Sequence, residues 1–326
     1  YVLNLKLKLF PFVCSIYTHY IKKFVDFLVQ KGYNCTVNFF KEFKNKPMNI
    51  LYSGDANIAY GVTISALSLC HKVKETLNIY ILTANISYGS TFRKALPSEF
   101  APFLEEQIRK YNENHTVTLI DITELFAKEK PIANMETRFT PCCMLRLYAD
   151  LVPELPDKIL YLDNDVICRL DPTEFYNKDL SQHSLAGSLD YYGSWFFKNN
   201  PFVRDYLNSG VLLLNLKRIR ENGLFAECRL RCKNEEMFMP DQSAINKLCT
   251  DKKICPRRFN EQRKLKKNTV FQHFTTSFRF FPLFHTVSVK PWNIEGMHKR
   301  LHIYEYDEIL SEYQYIKKFI WEIIEK

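Results

Sequence analysis

Short apolar runs alternate with segments of helical period along most of this chain, and that alternation limits the fold more than any other feature. MNILYSGD (Met48–Asp55), LNIYILTA (Leu77–Ala84) and TVTLIDI (Thr116–Ile122) are near-continuous apolar stretches of strand length. Between them, YGVTISALSLCHKV sets Val62, Ala66 and Leu69 at helical spacing, and EFAPFLEEQIRKYN reads as a second helix. Strands with no in–out alternation are buried on both faces, which calls for a parallel sheet covered by helices. Strand and helix in turn therefore predict a doubly wound α/β fold. Further on, FTPCCMLRLYADLVPEL (Phe139–Leu155) is expected as a helix and KILYLDNDVI as the next strand. SLAGSLD, SGVLLLNLKRI and NTVFQHF follow as strands, and MPDQSAINKLC opens a helix at Pro240, the favoured first-turn position.

The 326 residues, 46% of them hydrophobic, suffice for one large domain with elaborations or two modest ones. Residues 1–47 read as an extension outside the core, with Ile21, Phe24, Phe27 and Leu28 on one helical stripe. His19, Lys22 and Lys23 break its apolar run short of a membrane-spanning length. The tail 294–326 carries Ile309, Tyr313, Ile316, Ile320 and Ile323 on one stripe, which suits a core-docked helix. Trp321 and Phe319 keep a membrane-surface helix as the sharper alternative. The ten cysteines show no zinc-ribbon spacing and read as reduced core thiols of a cytoplasmic chain, so the sequons at Asn34, Asn85 and Asn114 carry no weight. A formal net charge of +9 suits nucleic acid, nucleotides or an anionic membrane surface. Asp251–Lys267 holds eight basic residues against two acidic ones, a solvated loop or a binding patch in equal measure.

The stretch KILYLDNDVICRLD sets Asp163 and Asp165 at the end of a buried strand. In a strand, residues two apart point the same way, so both carboxylates converge on one object while Asn164 points elsewhere. Ligands of open α/β sheets bind at the carboxyl ends of strands. Two like charges that close repel unless a cation lies between them. A hard divalent ion, Mn²⁺ or Mg²⁺, fills that role and keeps open positions for phosphate oxygens. A surface turn with two solvated aspartates is the plainer alternative.

The stretch also resembles the Asp-x-Asp motif of the family 8 retaining glycosyltransferases, the group that contains glycogenin and bacterial lipopolysaccharide hexosyltransferases. MNILYSGDANIAYGVTISALSL is similar to that family's opening strand, loop and helix, and TPCCMLRLYADLVPELPDKILYLDNDV to the segment leading into its metal motif. LNSGVLLLNLKRIR, PDQSAIN and HTVSVKPW follow in the family's order, so the likeness runs from about Met48 to Trp292. It implies a GT-A type, Rossmann-like nucleotide-sugar-binding fold over 48–293. That fold is a single large mixed, mostly parallel sheet flanked by helices, here with a helical tail. It further implies transfer of a hexose, glucose or galactose, from a UDP-sugar to a glycan, glycolipid or other acceptor, with retention. No nucleic-acid partner is expected. The location implied is cytoplasmic, with peripheral contact to anionic membrane.

By this resemblance Asp163, Asp165 and His285 hold Mn²⁺, or Mg²⁺ in its place, and Lys290 faces the phosphates. Asp55, Asn57 and Asn164 belong to the nucleotide-sugar side, Arg146 and Asp190 face the donor sugar, and Asn208, Asp241 and Gln242 line the reaction centre. Some positions depart from the family pattern. Ser288 stands where HTVSVKPW would carry glycine, one residue is missing before Lys290, and Ile58 replaces a common tyrosine. His273 of VFQHF competes with His285 as the metal ligand; His285 is preferred because Lys-Pro-Trp follows it. Gln242, a neutral amide, is a poor nucleophile, so same-face attack is favoured over a covalent intermediate. Two rival readings are a haloacid-dehalogenase-like phosphohydrolase and a catalytically inactive nucleotide-sugar-binding protein. The first fits poorly, because Asp-x-Asp lies late in the chain and no adjacent Asp-Asp pair occurs.

Overall fold

A computed structural model describes residues 46–137, 141–193, 205–279, 283 and 285–325. The helix expected within residues 1–47 lies outside the described residues, as do Phe139 and Thr140 of the expected 139–155 helix. The first strands are β1 (Met48–Gly54), β2 (Leu77–Thr83), a hairpin of β3 (Ile86–Tyr88) and β4 (Thr91–Arg93), and β5 (Thr116–Asp121). Then come β6 (Lys158–Leu162), β7 (Val166–Cys168), β8 (Leu185–Leu189), β9 (Leu207–Asn215) and β10 (Lys253–Cys255). The last are β11 (Phe271–His273), β12 (Ser277–Arg279) and β13 (His285–Val287). Seven of them form the main sheet in the order β10-β8-β9-β6-β1-β2-β5. Only β9 runs against its neighbours, so the sheet is mixed and mostly parallel.

The apolar runs supply side chains to both faces of this sheet. Ile50, Tyr52, Leu160, Leu162, Val211 and Leu213 join one buried cluster, while the intervening Leu51, Ile159, Tyr161, Leu212 and Leu214 join another. The two-residue period of a strand thus feeds two cores from one stretch of sequence. Helix α1 (Ala59–Cys70) covers the first face and is buried almost all round. Helix α2 (Phe100–Arg109) is amphipathic and buries Phe100, Leu104 and Ile108 in the same core. Helices α3 (Leu216–Asn222), α4 (Leu224–Asn234) and α5 (Pro240–Leu248) cover the opposite face. The C-terminal helix α6 (Asp307–Ile324) buries Ile309, Leu310, Tyr313, Ile316 and Ile320 in the core that holds α1. Among the described residues no helix is long and apolar enough to cross a membrane, and the described cysteines are free thiols.

Two local expectations are corrected. The segment Pro141–Leu151 forms successive 3₁₀ turns rather than an α-helix. Arginine side chains take carbonyls that a helical ladder would use: Arg146 Nε donates to Cys143 O at 2.9 Å, and Arg229 Nη1 donates to Leu147 O. The run KILYLDNDVI is not one strand. β6 stops at Leu162, Asp163–Asp165 form a turn, and β7 leaves the main sheet to pair antiparallel with β11.

Candidate active site

The two aspartates converge through this turn, not through strand alternation. Asp163 keeps its place beside β9 by donating its N–H to Gly210 O at 2.8 Å, and Val166 N closes the turn on Asp163 O at 3.2 Å. Phe274 N donates to Asp165 O at 3.0 Å, which ties the turn to the end of β11. The β7–β11 register sets His273 opposite Val166, directly beside the turn. His273 Nε2 consequently lies 3.1 Å from Asp165 Oδ1 and 3.7 Å from Asp163 Oδ2. One ligand atom from each of Asp163, Asp165 and His273 lies within 4.8 Å of the others. His285 stands apart: it is exposed at the start of β13, with Nδ1 2.8 Å from Leu283 O. The structure therefore gathers His273, and not His285, with the aspartates.

A chain of amides fixes which nitrogen of His273 faces the carboxylates. Asp190 Oδ2 accepts from Asn208 Nδ2 at 2.8 Å. Asn208 Oδ1 accepts from Gly210 N at 3.0 Å and from Asn260 Nδ2 at 2.9 Å. The backbone N–H can only donate, so the orientation of both amides is set. Asn260 Oδ1 then accepts from His273 Nδ1–H at 3.1 Å, so Nε2 is the nitrogen that faces the two carboxylates, and in the neutral ring its lone pair is available to a cation between them. That tautomer is the one a metal ligand needs. Asn260 was not singled out in the sequence; its only signal is this side-chain bonding.

Glycine at 210 makes the approach feasible. A Cβ there would lie 2.1 Å from His273 Cε1 and 2.6 Å from Asp163 Oδ2. Arg146 is buried and fully engaged: Nη1 donates to Ser209 O at 2.5 Å, Nη2 to Asp163 Oδ1 at 2.8 Å, and Nε lies 3.2 Å from Asp241 Oδ2. Its guanidinium also stacks over Tyr161 at 4.3 Å, whose hydroxyl donates to Asp163 Oδ1 at 2.9 Å. Asp241 and Gln242 occupy the first turn of α5. Gln242 Oε1 accepts from Ser209 N at 2.9 Å, and its Nε2 donates to Asp190 Oδ2 at 3.3 Å.

These groups border a cavity of about 310 Å³. Among the described residues, Asp163, Asp165, Asp190 and Asp241 line it against Arg146 and Lys290, a deficit of two positive charges when His273 is neutral. Lys290 Nζ donates to Asp165 Oδ2 and to Phe274 O, the latter at 2.9 Å. Burial alone would raise the Asp165 carboxyl, but the Lys290 ammonium beside it is the largest opposing influence and helps hold the group well below the usual carboxylate range. Two oxygens, one imidazole nitrogen of the right tautomer and a two-charge deficit suit a hard divalent cation such as Mn²⁺. Cys143 also lines the cavity, but burial and then Asp241 push its thiol far up, so it offers no thiolate nucleophile.

The remaining expected residues, Asp55, Asn57 and Asn164, do not line this cavity. Asp55 is buried at the carboxyl end of β1 and accepts from Asn57 N at 3.1 Å and Asn57 Nδ2 at 3.0 Å. Arg93 Nη1 approaches Asp55 Oδ2 at 3.8 Å. Asn164 packs against α1, where a Cβ on Gly61 would fall 2.3 Å from Asn164 O.

Comparison with known proteins follows this geometry. The family model for glycosyl transferase family 8 matches residues 49–296. A protein of Haemophilus influenzae assigned as a glycosyltransferase is 24% identical over 233 residues, covering 66% of this chain and 64% of its own length. The glycosyl transferase assigned as Gly in Streptococcus gordonii is 25% identical over 188 residues, covering 57% of this chain. The chain spans 64% and 26% of the length of these curated relatives. Among solved structures, galactosyltransferase LgtC in complex with donor and acceptor sugar analogs superimposes with a TM-score of 0.59 at 20% identity, covering 82% of this chain and 95% of that one. The bifunctional glycosyltransferase WbbM gives a TM-score of 0.61 at 16% identity, over 86% of this chain and 52% of that one. These structural likenesses speak to the shared GT-A fold.

Proposed function

The chain belongs to glycosyl transferase family 8, and from that premise we propose that it moves a hexose, glucose or galactose, from a UDP-sugar to a glycan or glycolipid acceptor with the anomeric configuration retained. The observation that carries this reading is the Asp163–Asp165–His273 donor set, with its tautomer fixed through Asn260, in a cavity two positive charges short. Residues 48–293 form the catalytic domain in this reading, 294–326 a helical tail, and 1–47 an extension. We place the activity in the cytoplasm, with peripheral contact to anionic membrane.

Asp163, Asp165 and His273 would hold Mn²⁺, or Mg²⁺ in its place. Bound there, the cation would neutralise charge developing on the departing diphosphate. Arg146 holds the Asp163 and Asp241 carboxylates in place, so the site needs little reorganisation as charge moves. Lys290 supplies a compact positive charge for phosphate oxygens. Asp55 and Asn57 would meet the uracil and ribose at the end of β1, beside Asn164. Asp190, anchored by Asn208 and Gln242, offers a carboxylate to sugar hydroxyls. Gln242 positions and polarises. Since its amide is no nucleophile, attack comes on the face the diphosphate leaves. The acceptor oxygen then bonds to the anomeric carbon as the bond to the diphosphate breaks, and the hydroxyl proton passes to the departing diphosphate.

The test is incubation of the intact chain with UDP-glucose or UDP-galactose, Mn²⁺ and saccharide acceptors. UDP release that chelator abolishes and Mn²⁺ restores is expected. Asp165→Asn should fold and lose transfer by at least about 100-fold, the scale seen when one group stabilising transition-state charge is removed. Release of inorganic phosphate instead would favour the phosphohydrolase reading, and no release at all a binding protein. A folded Asp165→Asn chain that remains active and Mn²⁺-stimulated would overturn the site as assigned.

A further inference from the structure

Two residues that line the catalytic cavity each carry a buried polar atom with no partner among the described residues: Gln262 Nε2 and Thr275 Oγ1. Gln262 is 5% exposed, and its Oε1 accepts from Tyr191 N at 2.9 Å. That backbone N–H cannot accept, so the amide cannot flip, and the unpartnered NH₂ group is fixed in place. The chain around it is equally constrained. Glu261 N donates to Phe271 O and His273 N donates to Glu261 O, both at 2.9 Å. The Arg263 guanidinium lies 4.4 Å from the Tyr191 ring centre. Gln262 therefore cannot turn toward another partner.

A buried donor left unpaired is a standing cost that a methionine or leucine at 262 would remove. Both orphan groups are neutral, whereas Lys290 and the proposed metal ligands stand ready for phosphate. An amide N–H₂ and a hydroxyl beside carboxylates match a neutral ligand that both donates and accepts, which is the chemistry of a carbohydrate hydroxyl. We infer that Gln262 and Thr275 form a sugar-hydroxyl subsite of the catalytic cavity. The two residues also border a neighbouring cavity of about 660 Å³ that Lys264 and Tyr304 help to line, so the subsite stands where a glycan acceptor could continue outward. The inference rests on the glycosyltransferase reading.

The experiment uses the intact chain, Gln262→Met and Thr275→Val, with UDP, UDP-glucose and UDP-galactose as binding probes in Mn²⁺, and mono- and disaccharides as acceptors. If the hydroxyl belongs to the donor, affinity for the UDP-sugar falls about 10-fold, the size of one lost hydrogen bond, while affinity for UDP holds. If it belongs to the acceptor, UDP-sugar affinity holds and kcat/KM for the saccharide falls by a similar factor. Thr275→Val melts no lower than the wild type in either case, because its hydroxyl has no partner to lose. Unchanged donor affinity together with unchanged transfer overturns the inference, and so does a parallel fall in UDP and UDP-sugar affinity. A wild-type chain that binds no nucleotide-sugar overturns the glycosyltransferase reading and this one with it. Wild-type binding with indifferent variants overturns this one alone.

Discussion

His273 shows what one residue contributes and why its neighbours matter. The β7–β11 register, rather than proximity in sequence to Lys-Pro-Trp, brings it to the aspartates. His273→Ala is accordingly expected to raise the Mn²⁺ requirement for transfer strongly, while His285→Ala leaves it within about twofold. The reverse order would restore His285 as the ligand. Asn260 makes a finer test, because it acts through the tautomer of His273. Outer partners of metal ligands typically contribute 10–100-fold in affinity, so Asn260→Ala should weaken Mn²⁺ binding by about that factor. Asn260→Asp, which keeps an acceptor for Nδ1–H, should lose much less. Electron paramagnetic resonance titration of Mn²⁺ reads this without any transfer assay; equal losses in both variants would mean that Asn260 merely packs. The aspartates were legible in the sequence because a charged pair ending an apolar run has few structural uses. The choice of histidine was not, since it depends on which strands pair. Asn260 could not be read at all, because its role is a bond between side chains distant in sequence.

At the scale of elements, the alternation of strand and helix was plain because each strand's apolar run is close to continuous. The 3₁₀ character of Pro141–Leu151 was hidden, because arginines far along the fold capture its carbonyls. The turn at Asp163–Asp165 was hidden as well, since Val166 and Ile167 prolong the apolar run on its far side. Strand β9 works by its lack of a side chain where it passes the site. Gly210→Ala would drive a methyl group into His273 and Asp163, so the fold should persist while Mn²⁺ binding and transfer collapse together. A well-folded, fully active variant would show that the strands can part at little cost. The edge of the sheet has its own sensitivity. His115 is buried before β5, its Nδ1 accepting the Leu77 N–H at 3.0 Å, and burial holds its pKa below the ordinary value of about 6.5. In the interval below that value the unfolded chain binds more protons than the folded one, so the contribution to stability is full above pH about 6.5 and declines as pH falls. Urea melts at pH 7.5 and 5.5 should show this loss, and His115→Asn should flatten it. An unchanged slope would place the acid sensitivity elsewhere.

For the molecule as a whole, the proposed contact with anionic membrane would have to fall on an exposed surface. The sequence offered two surfaces, the apolar stripe of the tail and the basic segment Asp251–Lys267. The stripe is already committed, since Ile309, Tyr313, Ile316 and Ile320 are buried in the core with α1; the large apolar groups of the tail that stand exposed are Tyr304, Tyr315, Phe319 and Trp321. Much of the basic segment is committed too. Lys252 Nζ donates to Asn246 O at 2.9 Å and Lys253 Nζ to Asp179 O at 2.8 Å. Arg258 pairs with Glu174, and Arg257 lies over Tyr191 at 4.8 Å. Lys264, Lys266 and Lys267 remain exposed on one short stretch. At roughly 1 kcal/mol per basic residue near an anionic surface, these three account for about 3 kcal/mol, or about 100-fold in vesicle affinity at low salt. Binding of the intact chain to phosphatidylserine vesicles, measured by co-sedimentation, is therefore expected in low salt and lost as ionic strength shortens the screening length. Replacing all three lysines with glutamine should remove it, and Trp321→Ala should not. If the Trp321 variant loses binding while the lysine variant keeps it, the tail is the contact and the basic stretch a solvated loop. If neither affects it, the net charge of +9 acts diffusely and no patch has been selected.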